Sequence, residues 1–167
     1  AVATLATVYA IRMLGLFMVL PVFALLGPEL AGATPALVGM AIGIYGLSQA
    51  CLQVPFGALS DRLGRKRLIY IGLVIFAAGS LVAGASDHIL GVIVGRALQG
   101  AGAIASVLMA LVSDLTRAEQ RTKAMASIGV TIGLSFSLSL ILGPLLSQFT
   151  GLSGIFYLTA ALALVAM

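Results

Sequence analysis

The chain has 167 residues, 61% of them hydrophobic and only 8% charged, with a mean hydropathy of +1.19 and a formal net charge of +4. A water-soluble domain carries about 25% charged residues, so this composition excludes one, and the positive balance is better explained by membrane orientation than by nucleic acid, which is not an expected partner. Cys51 stands alone in an apolar block, where it reads as a packed, inert thiol; no metal-ligand cluster, nucleophile–base pair or nucleotide loop is visible, which argues against an enzyme and against a metal or organic cofactor.

The apolar residues come in blocks of about twenty, the length that crosses a ~30 Å hydrocarbon core as a helix. Their continuity favours helices over barrel strands, which alternate over about ten residues. Six spans are expected, at 4–26, 36–60, 68–85, 88–113, 124–149 and from 154 onward, the last cut short. No linker interrupts them, so residues 1–167 read as one all-α transmembrane domain. No cleavable signal peptide stands out. The start without Met and the stop inside ALALVAM suggest a piece cropped at both ends.

The first span carries Arg12 about eight residues in. A charge near the bilayer centre costs at least ~2.5–3.5 kcal/mol on insertion scales, so Arg12 either faces a watery cavity or partner, or snorkels to an interface. Thr34-Pro35 opens the second span, with a capping hydroxyl before a Pro at the first helical position. Within that span Tyr45, Gln49 and Gln53 recur every four residues on one face. Their polar groups either line a cavity or hydrogen-bond between helices. Ser86-Asp87 is expected to cap the fourth span, in which Arg96 is followed by Gln99 and Gly100 and favours a cavity-facing role. In the fifth, Ser127, Thr131, Ser135, Ser139 and Gly143 form a small-residue stripe suited to close packing. The pairs Gly39/Gly43, Gly91/Gly95 and Gly129/Gly133 are expected to do the same. Arg12 and Arg96 in the first and fourth spans, with Pro55 and Pro144 in the second and fifth, hint at an inverted three-plus-three repeat.

The connections differ in charge. DRLGRKR (61–67) holds four of the nine Lys and Arg residues and DLTRAEQRTK (114–123) three, whereas GPELAGATPA, SDH and TGLSG hold none. Positive loops stay cytoplasmic, so the N-terminus and loops 61–67 and 114–123 are expected on the cytoplasmic side. All five acids, Glu29, Asp61, Asp87, Asp114 and Glu119, sit in loops or at helix ends, leaving no carboxylate inside a span.

GALSDRLGRKR contains more than an orientation signal needs. Gly57, Leu59, Asp61, Arg62, Gly64, Arg65 and Lys66 resemble motif A of the major facilitator superfamily, in the loop where that family carries it. GRALQGAGA resembles its motif B through Arg96, Gln99, Gly100 and Gly102. Gly143-Pro144 resembles the antiporter motif C, although Ser139, Ser147 and Gln148 stand where further glycines belong. RMLGLFMVLPV and IGIYGLSQ complete a likeness to the YajR-type drug/proton antiporters of bacteria. The resemblance covers essentially the whole chain, as the N-terminal six-helix half of a twelve-helix fold. It implies secondary transport by alternating access, with small amphipathic or cationic compounds exported from the cell across the bacterial inner membrane against protons.

In that reading Arg12, Tyr45, Gln49, Gln53, Arg96 and Gln99 line the substrate cavity. Gly57, Asp61, Arg62, Gly64, Arg65, Lys66 and Asp114 form a conformational switch, and Gly143 and Pro144 a packing hinge. The partners implied are a small-molecule substrate, lipid, and the other six-helix half or a second copy. A sugar or metabolite uniporter or symporter of the same superfamily, or a non-transporting membrane scaffold, are the alternatives.

Overall fold

The computed structural model describes residues 2–167, and among them the chain is helical apart from short connections, without a strand. α1 spans Val2–Leu26 and a 3-10 turn at Gly27–Glu29 follows it; α2 spans Pro35–Leu63 and α3 Arg65–Gly84. The fourth span comes in two pieces, α4 (Ile89–Ala101) and α5 (Ala105–Leu115), and α6 covers Arg121–Val165 after a 3-10 turn at Ala118–Gln120.

α6 is not one rod. Gly151, at φ 66° and ψ −170°, folds it into arms 121–150 and 152–165. Both arms lie on α1: Ser135 Oγ donates to the Ala10 carbonyl at 3.2 Å and Thr159 Oγ1 to the Gly15 carbonyl at 3.1 Å. Along the first arm residue numbers rise with those of α1, since Gly143 meets Met18. Along the second they fall, since Ala166 shares a cavity with Thr4 and Leu5. The arms are therefore antiparallel, and the chain makes the six passes expected.

Local chemistry sets the boundaries. Thr34 Oγ1 accepts from the Leu37 N–H at 3.2 Å with Pro35 in the first turn, as expected. The cap of α4 is a correction: His88, not Ser86-Asp87, holds that position, its Nδ1 accepting from the Leu90 N–H at 3.2 Å. Ser86 instead donates to the Val82 carbonyl at 2.6 Å and so finishes α3. α2 and α3 are separated by Gly64 alone, whose φ of 94° no other residue type adopts readily.

Hydrophobic burial does little to pair helices in lipid, so close backbone approach must. A Cβ on Gly79 would lie 2.6 Å from the Gly95 carbonyl, and one on Gly95 2.6 Å from the Ala83 nitrogen. Of the three glycine pairs expected to pack, only Gly91/Gly95 does so within this chain. Gly39, Gly43, Gly129 and Gly133 have nothing within 4 Å, because the faces of α2 and α6 that carry them are open. Cys51 is a second correction: it is exposed on α2, beside exposed Leu47 and Val54, rather than packed. The small-residue stripe of α6 packs in its later part, where Ser135, Ser139 and Gly143 are buried, while Ser127 is exposed. α6 continues unbroken through Pro144, and its one non-helical residue is Gly151.

Candidate functional site

Two polar constellations stand out, one inside the bundle and one at an end. The first is built around Tyr45 on α2. Arg96 on α4 places its guanidinium 4.7 Å from the Tyr45 ring centroid, and Arg12 Nη2 donates to the Tyr45 hydroxyl at 3.4 Å. Arg96 Nη1 donates to Gln99 Oε1 at 2.8 Å and Arg96 Nε to the Ala41 carbonyl at 3.3 Å. Gln99 Nε2 donates in turn to Ser80 Oγ at 2.7 Å, and Ser80 donates to the Phe76 carbonyl at 2.9 Å. Arg12 stacks over Phe76 at 5.1 Å and donates from Nη2 to the Gly102 carbonyl at 3.0 Å.

No carboxylate joins this network. Its two cations rest on backbone carbonyls, an amide and aromatic faces, the partners that an apolar interior offers. Arg12, Arg96 and Gln99 are 0%, 2% and 0% exposed, so the structure encloses them inside the bundle instead of opening them to a cavity. Small residues make that enclosure possible: a Cβ on Gly100 would overlap the Tyr45 carbonyl, and one on Gly102 that of Gly72. Gln49 and Gln53 are half-buried. Gln53 offers its main-chain carbonyl to Ser106 Oγ at 2.9 Å, and Gln49 Oε1 is buried without a partner. The Tyr45–Gln49–Gln53 face therefore runs from the closed network outward. Ser80 is the member that sequence reasoning missed; its signal was the one serine in a largely apolar third span.

The second constellation ties three helix ends together. Arg65, in the first turn of α3, contacts Asp61 Oδ1 at 2.9 Å and Asp114 Oδ2 at 2.7 Å. Its Nη1 also donates to Ser60 Oγ at 2.8 Å, and Ser60 donates to the Gly57 carbonyl at 2.6 Å. Asp61 and Asp114 lie in the last turns of α2 and α5, where the helix dipole disfavours negative charge, so a shared cation relieves both. This brings Gly57, Asp61, Gly64, Arg65 and Asp114 together as the motif suggested and adds the buried Ser60, which was missed although it adjoins Asp61. Arg62, Lys66 and Arg67 are exposed around it. The 2.7 Å contact also puts loops 61–67 and 114–123 at one end of the bundle. At the opposite end the Ala31 N–H donates to the Asp87 carbonyl at 3.1 Å and the Ile89 N–H to the Ala31 carbonyl at 3.0 Å, joining loops 27–34 and 86–88. A cavity of about 410 Å³ near Thr4, Lys66, Tyr70 and Leu115 lies at the charged end, away from the buried arginines.

At Gly143 a Cβ would lie 2.8 Å from the Met18 carbonyl, so this glycine is a contact point between α6 and α1. Among the described residues no group of His, Cys, Asp and Glu is arranged to hold a metal ion.

A helical bundle of membrane-length spans, with two buried arginines and an ionic tie at one end, defines the class of polytopic membrane proteins. The sequence matches the family model described as Major Facilitator Superfamily over residues 5–167, and the chain belongs to that family. It is 58% identical over 159 residues to the inner membrane transport protein YajR of Escherichia coli (strain K12), covering 95% of this chain and 35% of that protein. It is 46% identical over 157 residues to an uncharacterized transporter of Buchnera aphidicola subsp. Schizaphis graminum (strain Sg), covering 94% and 40%. A third relative, multidrug resistance protein 2 of Bacillus subtilis (strain 168), is 32% identical over 143 residues, covering 83% and 34%. The chain thus spans 34–40% of the length of these three relatives.

Proposed function

We propose that the chain is the N-terminal six-helix half of a secondary transporter that works by alternating access and exports small amphipathic compounds in exchange for protons. The observation that carries this reading is the Arg65 tie. It links α2, α3 and α5 at one end through charges that a change of state can separate, while the other end is held by main-chain bonds. Asp61, Arg65 and Asp114, with Gly57, Ser60 and Gly64 shaping the turn, serve as the latch. Arg62, Lys66 and Arg67 keep that end in the cytoplasm of an inner-membrane protein. The open glycine faces of α2 and α6 receive the other six-helix half.

Of the cavity residues, Gln49 and Gln53 are those placed to meet substrate, because they are partly exposed. Arg12, Arg96 and Gln99 form the wall behind them with Tyr45. Export of drug-like compounds is supported by the relative named multidrug resistance protein 2 and by the partial motif C at Gly143-Pro144.

Proton exchange needs a group that gains and loses charge in the cavity. Arg keeps its proton at any working pH, and no Asp or Glu lies within these spans. The coupling acid therefore belongs to the other half, with Arg96 tuning it electrostatically. Reconstituting the full-length protein with an internal pH dye tests this. Substrate should drive proton movement, with a pH dependence altered in Arg96→Ala and unaltered in His88→Ala. Substrate flux without proton movement would refute exchange and favour the second reading, a sugar or metabolite facilitator, to which the acid-free spans also conform.

A further inference from the structure

The break in the fourth span and the burial of Arg12 meet at one atom. In an uninterrupted helix the Gly102 carbonyl would accept from the N–H of Ser106, four residues on. Here α4 stops at Ala101, Gly102 turns to φ −73° and ψ 48°, and α5 starts at Ala105. The Gly102 carbonyl instead accepts from the Ile104 N–H at 2.8 Å and from Arg12 Nη2 at 3.0 Å. Ser106 is held elsewhere, its Oγ donating to the Gln53 carbonyl on α2 at 2.9 Å.

Each feature answers a difficulty of the other. A guanidinium that is 0% exposed, with no carboxylate in its network, needs an acceptor, and a helix broken at mid-span leaves one at its C-terminal end, where the dipole also favours a cation. A broken helix in an apolar interior needs a donor for its freed carbonyl, and Arg12 brings one from α1. The attachment is not tight. Only Nη2 is engaged, at 3.0 Å to Gly102 and 3.4 Å to Tyr45, while Nε and Nη1 are buried without partners. One nitrogen thus carries the hold, and releasing it gives the Gly102 carbonyl one obvious replacement, the Ser106 N–H that would rejoin the span.

We infer that Arg12 is the positioning residue that keeps the fourth span in two pieces, competing with the Ser106 N–H for the Gly102 carbonyl, so that the seating of Arg12 decides between a broken and a continuous helix. For transport this makes the span a two-state element set by a residue that does not touch substrate. The inference rests on the transport reading only for its kinetic readout; the structural readout stands without it.

The test uses the full-length protein in lipid nanodiscs with Cys51→Ser. Spin labels are placed at Val94 on α4 and Leu115 on α5, both exposed on the bundle surface. Twenty-one helical steps of 1.5 Å put an uninterrupted span at about 31 Å between these positions. Arg12→Met, which keeps bulk but donates nothing, should move the distance to that value. The unsubstituted protein and Arg12→Lys, which keeps a donor, should share a different one. A folded Arg12→Met with the unsubstituted distance overturns the inference. The milder Arg12→Lys decides the matter by kinetics if the Met variant does not fold. Lys keeps the resting state but not the geometry of the guanidinium's hold, so the exchange between states changes and kcat should fall severalfold with KM unchanged. A raised KM at unchanged kcat would make Arg12 a substrate contact and overturn the positioning role.

Discussion

The Arg65 tie makes a quantitative demand on a double-mutant cycle. Asp61 and Asp114 are 62% and 54% exposed at their side chains and Arg65 23%, so each pair is a surface ion pair worth about 0.2–1 kcal/mol. Both acids also sit where the helix dipole opposes them, by about 0.3–1 kcal/mol each. Neutralising either one therefore loses a contact and relieves a repulsion of similar size, and thermal stability should hardly move. The contact between α3 and α5 is different. Asp61–Arg65 is local to one turn and survives any motion of α5, whereas Arg65–Asp114 exists only when the two helix ends are together. Its whole energy weighs on that equilibrium, and ~1 kcal/mol corresponds to about a fivefold shift in population.

Initial transport rates in proteoliposomes of the full-length protein give the test. Asp114→Asn should slow transport by up to about fivefold and Asp61→Asn, which acts only by holding Arg65 in place, by less; the double variant should be no slower than the worse single one, because both act through Arg65. The coupling should also shrink as salt rises toward ~1 M, where the screening length is about 3 Å. Additive losses at low salt, or a coupling indifferent to salt, would refute a shared latch and leave the cluster as an orientation signal.

Three further outcomes follow from particular positions. Cysteines introduced in a Cys51→Ser background at Glu29 and Leu63 should label from outside intact cells at 29 and not at 63; the reverse pattern would invert the topology. Position 32 is unsuitable for this probe because Gly32 at φ 73° lies against His88. Gly79→Ala, whose Cβ would meet the Gln99 nitrogen at 2.5 Å, should abolish folded protein, whereas Gly43→Ala has nothing within 4 Å and should leave the isolated fragment's melting temperature unchanged or raised while impairing transport through the docking face. Comparing detergent-stable yield and flux of the two decides it. His88→Ala should cost about 1 kcal/mol through loss of the α4 cap, visible as a lower melting temperature with proton coupling intact.

What the sequence disclosed tracks the range of the physics involved. The spans and their shared ends were legible because bilayer thickness sets length and Lys/Arg placement sets side. Thr34-Pro35 was legible because a cap is decided within four residues. The charge cluster could be read because Asp61 has no place in a bare orientation signal. One error, the α4 cap, is local; the others fall where the deciding contact is distant in sequence. His88 displaced Ser86-Asp87 as a cap because Ser86 was drawn back to Val82. Cys51 and the glycines of α2 and α6 face outward because those helix faces find no partner within this chain, which their local pattern cannot express. The break at Gly102 depends on a donor ninety residues away, and GRALQGAGA carries helix-compatible glycines that do not announce it.

The two buried arginines are best understood through what surrounds them. A guanidinium facing an acid would be fixed in place, since breaking a buried ion pair is strongly unfavourable. Arg12 and Arg96 instead hold carbonyls, an amide and aromatic faces, attachments that can be exchanged one at a time at lower cost. Tyr45 lies between them, its hydroxyl within reach of one cation and its ring beneath the other, so motion of either arginine is felt by the α2 face that carries Gln49 and Gln53. A positively charged core without acids also draws any carboxylate that the opposing half presents. The same absence that removes a proton carrier from these six spans thus gives their interior one sign of charge, the property a cavity wall needs if the titrating group lies across from it.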